Sequence, residues 1–64
     1  MLAQAYSDGL LRIFDENGMR ICDMDFTPSL KAEADKQLKR LKLRRRGPWK
    51  DYGSFSEAEL RFDR

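Results

Sequence analysis

Between Lys36 and Lys50 the chain carries Lys36, Lys39, Arg40, Lys42, Arg44, Arg45, Arg46 and Lys50, with Trp49 inside the run and Tyr52 just after it. Ammonium and guanidinium groups seek phosphate oxygens, and flat rings stack on bases or sugars, so this pairing of residue types is what single-strand or RNA binding requires. Two plainer uses stand beside it. Trp49 is the largest piece of core available to a core-poor chain, since large aromatics dominate burial. The cations also suit a solvated helix face that pairs with acidic strands on either side.

The remaining candidates for chemistry are sparse. Asp23 and Asp25, two apart on a strand, share a face and offer oxygens to a hard cation, with Asp15 and Glu16 as further donors. Carboxylates on an open strand face are common and no further ligand run accompanies these, so no metal site is assigned. Ser54 and Ser56 lack a base to activate them. The chain has no histidine, which removes the commonest general base, metal ligand and nucleophile partner. Cys22 is the only cysteine, so neither an internal disulfide nor a one-chain thiolate zinc site is open to it, and a small buried hydrophobe is its expected role. No catalytic residue, no cofactor and no enzymatic activity are therefore expected.

Charge is sorted along the chain although the formal net is only +2. Residues 1–27 hold five carboxylates against Arg12 and Arg20, residues 28–50 hold nine cations against Glu33 and Asp35, and residues 51–64 hold four carboxylates against Arg61 and Arg64. One basic block thus lies between two acidic ones, a layout that attracts an anionic partner locally even when the whole molecule is nearly neutral.

Several elements must position these groups. Sixty-four residues make one domain, read here as 1–64, because a chain this short buries only about 60% of the surface its unfolded form exposes. Hydrophobic residues at 41% against 38% charged place it in the globular class with a thin core. Leu10–Phe14 and Met19–Phe26 flank Asp15-Glu16-Asn17-Gly18, a hairpin whose Asn-Gly pair suits positive φ. Residues 2–6 add an edge strand before a turn at Ser7-Asp8-Gly9.

Thr27-Pro28 reads as an N-cap followed by proline at the first helical position. From there Leu30, Ala34, Leu38 and Leu41 fall within a stripe of roughly 80°, and Lys36, Lys39 and Arg40 point away from it. Continuing past Leu41 would put Arg45 in the apolar stripe, so the helix ends near Leu41 or Lys42. Leu43 to Trp49 then runs extended, with Leu43, Arg45, Gly47 and Trp49 on one face and Lys42, Arg44 and Arg46 on the other. A turn at Lys50–Gly53 leads to a last strand, with Ala58, Leu60 and Phe62 inward and Glu57, Glu59 and Arg61 outward. The predicted fold is α+β, a small antiparallel ββαββ sheet with one helix packed on one face. Both parities of the first hairpin carry apolar residues, so an apolar patch, with Leu11, Ile13 and Ile21 as its candidates, is expected on the uncovered side as a surface for a homodimer or a partner.

The helix, the basic stretch, Gly47-Pro48-Trp49 and then Asp51-Tyr52-Gly53 before an alternating strand resemble short accessory proteins encoded by phages of actinobacteria, over about residues 10–62. That resemblance implies a phage accessory or host-takeover role and brings no established site residues. Residues 1–6 hold neither a basic leader nor an apolar stretch, and no apolar run approaches the roughly 20 residues of a membrane span. The sequence therefore predicts a soluble protein of the cytoplasm, that of the host cell if phage-encoded, with no membrane partner. The leading expectation is a non-enzymatic module whose residues Lys36, Lys39, Arg40, Lys42, Arg44, Arg45, Arg46, Trp49 and Lys50 contact DNA or RNA mainly through phosphates. The alternatives are an inhibitor that docks on an acidic host protein, or a minor virion protein.

Overall fold

The computed structural model describes residues 1–27 and 31–62. Three strands precede the helix, β1 (Leu2–Tyr6), β2 (Leu10–Phe14) and β3 (Arg20–Asp25). The helix α1 (Lys31–Arg40) is followed by β4 (Leu43–Arg45), β5 (Lys50–Asp51) and β6 (Phe55–Phe62). The fold is α+β, but its order is βββαβββ rather than ββαββ. The strands form one antiparallel sheet in the order β3-β2-β1-β6-β4, and β5 pairs with the same edge of β6 as β4 does.

β1 was expected at an edge and lies in the middle of the sheet, between β2 and β6. The strand forms over the residues expected, but alanine is a poor strand former, which hides its central place in the sequence. In place, Ala3 and Ala5 are buried at the centre of the sheet, where small side chains leave volume for the helix residues above them. The core joins them to Leu11, Ile13, Phe26, Ala34, Leu38, Leu43 and Leu60.

The β2–β3 hairpin forms where predicted, by a different turn. Gly18 has φ 79° while Asn17 keeps an ordinary negative φ. The Gly18 N–H donates to the Asp15 carbonyl (3.1 Å), and Asp15 Oδ1 accepts from the N–H groups of Asn17 and Met19 (2.9 and 3.0 Å). This is a type I turn closed by a glycine bulge, not a two-residue Asn-Gly turn. A register shift between Ile13 and Phe14 then sets Ile13 opposite Cys22 and Phe14 opposite Arg20. Ile21 and Met19 are left exposed, whereas Leu11 and Ile13 are wholly buried. The patch expected from Leu11, Ile13 and Ile21 is therefore not one surface.

Along α1, Ala34 and Leu38 turn into the core, and Lys36, Lys39 and Arg40 face solvent. Pro28 and Leu30, on which the predicted helix start and first stripe position fall, lie outside the described residues. The helix stops where the pattern breaks: the N–H groups of Leu41 and Lys42 close onto the carbonyls of Leu38 and Lys39 (both 3.0 Å), and Lys42 sits at φ 58°. That left-handed residue turns the chain away, so Leu41, expected in the core, is 41% exposed.

On β6, Ser56, Ala58 and Leu60 face inward. Phe62, also expected inward, is 58% exposed, because it pairs with Leu43 beyond the last β1 position at the sheet corner. Lys50-Asp51, expected as turn, forms β5; the turn proper is tied by the Tyr52 N–H to the Phe55 carbonyl (2.8 Å) and by Gly53 N–H to Asp51 Oδ1 (2.9 Å).

Candidate nucleic-acid interface

The two-residue period of a strand divides the basic segment. Leu43 and Arg45 turn toward the helix, and Arg44 and Arg46 turn to the exposed side. A guanidinium that faces inward needs a carboxylate, and Asp35 of α1 supplies it. Asp35 Oδ1 accepts from Arg45 Nε (2.8 Å) and Asp35 Oδ2 from Arg45 Nη2 (3.2 Å), a two-pronged pair. Trp49 Nε1–H also donates to Asp35 Oδ1 (3.2 Å), Arg45 Nη1 donates to the Gly47 carbonyl (3.1 Å), and the Arg45 guanidinium lies 5.7 Å from the Trp49 ring centre. Trp49 is half-buried and packs against the core. Arg45 and Trp49, both predicted as contact residues, thus lock α1 to the segment between β4 and β5.

The outward residues make a track. Arg44 stands directly opposite Arg61 on β6. Next comes Arg46, whose N–H donates to the Glu59 carbonyl (2.8 Å), then Lys50 opposite Glu57, then Tyr52 against Phe55. Arg44, Arg45, Arg46 and Arg61 line a groove of about 440 Å³. A second groove, of about 510 Å³, runs between β4 and the helix and adds Lys39. Lys36, Arg40 and Lys42 are exposed on the helix and its terminal turn, outside both grooves, with Lys36 paired to Glu33 (3.8 Å).

Sequence reasoning missed Arg61, Asp35, Tyr6 and Phe55. On the sheet face away from the helix, Tyr52 stacks on Phe55 (ring centres 5.4 Å apart) and Phe55 lies against Tyr6 (5.3 Å). Arg12 sits over Tyr6 (5.6 Å), and the Tyr6 hydroxyl donates to Gln4 Oε1 (2.6 Å), whose amide donates to Glu57 (3.0 Å). Strand alternation gives these rings away only once β1 and β6 are known to be neighbours.

Asp23, the first carboxylate considered for a cation, is paired with Arg12 (3.6 Å) and Arg20 (3.4 Å), and Asp15 is spent on its turn. Among the described residues no group of three or more His, Cys, Asp or Glu is placed to hold a metal ion. Cys22 is half-buried beside the core; burial pushes its thiol above the usual range and the charge of Asp23 adds to this. Ser56 is buried and Ser54 exposed. Among the described residues no helix is long and apolar enough to cross a membrane. The chain matches no protein-family model, no curated protein and no solved structure.

Proposed function

We propose that the protein is a small non-enzymatic binding module that holds nucleic acid through phosphate contacts along its β4–β5 edge, with little sequence specificity. The observation that carries this is the placement of Arg44 directly opposite Arg61, with Arg46 beside them in one groove. Guanidinium groups directly opposite each other, with a third beside them, concentrate positive potential on one face, and that favours an anion there. Two carboxylates share this face: Glu57, which accepts from Gln4, stands opposite Lys50, and Glu59 stands opposite Arg46. Phosphate contacts carry no base information, hence the low specificity.

The test is fluorescence anisotropy with labelled DNA and RNA at rising salt. Four to six phosphate contacts give a slope of log affinity on log salt of about −3 to −5. Arg44→Glu with Arg46→Glu abolishes binding while circular dichroism stays native; retained affinity overturns the proposal.

A second reading has its own observation. Met19 and Ile21 are 67% and 54% exposed at the β3 edge, opposite the basic edge. Exposed apolar residues of this size suit a protein partner, as in the phage host-takeover, virion or homodimer roles. A host protein captured after nuclease treatment, and lost with Ile21→Lys, supports it.

A further inference from the structure

We infer that the nucleic acid on the β4–β5 edge is single-stranded, and that Tyr52 is the ring on which its bases stack. The inference rests on the phosphate reading above and adds the class of strand. Arg44, Arg46, Lys50 and Tyr52, with Gly47, Pro48 and Trp49 between the second and third, stand opposite the successive outward positions Arg61, Glu59, Glu57 and Phe55 of β6. From Arg61 to Phe55 is six strand residues, about 20 Å. The cations therefore end on an aromatic ring at one end of a single line.

The ring is held ready. Tyr52 rests one face on Phe55 at an interplanar angle of 20°, is fixed through its N–H to the Phe55 carbonyl, and remains 55% exposed. Phe55 is backed in turn by Tyr6, whose hydroxyl is tied to Gln4 and whose ring is covered by Arg12. An open ring face at the end of a phosphate track gains nothing from a duplex, whose bases are already paired and stacked. A single strand presents unstacked base faces, which every base has, so such a platform is tolerant of sequence. This agrees with a track that reads no base edges.

Tyr52 also covers Phe55, and that purely structural role predicts different variants. Tyr52→Leu keeps an apolar cover without a π-face, and Tyr52→Phe keeps the ring. The experiment is anisotropy of the full chain with labelled oligo(dT), oligo(U) and a duplex of equal length, about a dozen nucleotides each. Expected results are a loss of about tenfold for Tyr52→Leu on both single strands, an unchanged salt slope, unchanged duplex affinity, and wild-type binding by Tyr52→Phe. Wild-type affinity of Tyr52→Leu for single strands overturns the stacking inference, as does equal loss on duplex and single strand or a wild-type preference for duplex. The phosphate reading is judged separately by the Arg44→Glu, Arg46→Glu variant, and fails together with the stacking inference only if the wild-type chain binds none of the probes.

Discussion

Removing the Asp35 carboxylate tests how the basic segment is held. Asp35→Ala deletes the acceptor of three hydrogen bonds, from Arg45 Nε and Nη2 and from Trp49 Nε1, at 2.8, 3.2 and 3.2 Å. Buried hydrogen bonds to a charged group contribute about 1.5–3 kcal/mol each. Here the Arg45 and Asp35 side chains are 31% and 39% exposed. Solvent screening reduces the set to about 1–2 kcal/mol in total. With an unfolding entropy of about 2.1 cal/mol/K per residue, that is a fall in Tm of about 7–15 °C for a chain of 64 residues. Trp49 is the only tryptophan, so thermal melts followed by its fluorescence and by circular dichroism report the lock and the fold separately. A double-mutant cycle with Arg45→Met isolates the pair, with an expected coupling of about 1 kcal/mol. The gap between wild type and variant narrows in 1 M salt, where the Debye length is about 3 Å. A drop in Tm below about 2 °C, or strictly additive losses in the cycle, refutes the assignment of Arg45 and Trp49 to the lock.

Two further outcomes follow from the turn and the thiol. A Cβ on Gly18 meets nothing within 4 Å, so Gly18→Ala is penalised through its φ of 79° alone; a loss of about 1 kcal/mol, or about 7 °C in Tm, is expected, with a smaller loss for Gly18→Asn. A melt of Gly18→Ala that coincides with wild type contradicts the bulge assignment. Because burial raises the Cys22 thiol in the folded state, the native chain holds less thiolate than the unfolded one at mildly alkaline pH. Its contribution to stability is complete below the unfolded thiol's range and disappears as pH rises through the folded value. Disulfide-reagent labelling at alkaline pH is then slower in the native than in the denatured chain, and the alkaline loss of stability shrinks in Cys22→Ser; equal labelling rates contradict it.

The elements set by local pattern were legible and those set by pairing were not. Helix termination after Arg40 and the alternation of covered and exposed positions from Leu43 to Trp49 follow from where apolar and basic residues fall on a wheel or a pleat, although the strand itself stops at Arg45 and the chain bends at Arg46 and Gly47, short of the extended run expected to Trp49. The central place of β1 does not, because Ala3 and Ala5 are weak strand formers whose value is their small size beneath the helix. Arg61 joins the site only through the register that sets it opposite Arg44, seventeen positions earlier in the chain. Asp35 left a usable signal. An arginine at an inward strand position calls for a carboxylate nearby, and the helix that packs on that face offers only Glu33 and Asp35. Leu11 and Ile13, grouped with Ile21 on the uncovered side, and Phe62, expected inward, were misplaced for a common reason: a bulge and a sheet corner each interrupt the two-residue period on which these assignments rest.

The sheet order also converts a linear charge pattern into a polar molecule. β3, where Asp23 is paired with Arg12 and Arg20 and Asp25 adds a further carboxylate, and β4, with its arginines, are the two edges, four strand spacings or about 19 Å apart. An approaching polyanion is therefore turned toward β4 before it makes contact. Three consecutive arginines serve this edge in two ways, Arg45 anchoring the helix and Arg44 and Arg46 facing outward. A variant that reverses all three destroys anchor and contacts together, so its loss of binding does not say which mattered. Arg44→Glu with Arg46→Glu leaves Arg45 on Asp35 and reverses charge on the outward side. Asp35→Ala does the converse, loosening the anchor while deleting a negative charge from a net of +2. If phosphate contact governs binding, the two variants move affinity in opposite directions: the arginine reversal loses it, and the Asp35 variant, kept below its melting temperature, binds at least as tightly as wild type. If affinity instead falls with Asp35→Ala as steeply as with the reversal, the anchored geometry of the edge, rather than its charge, is what the ligand recognises.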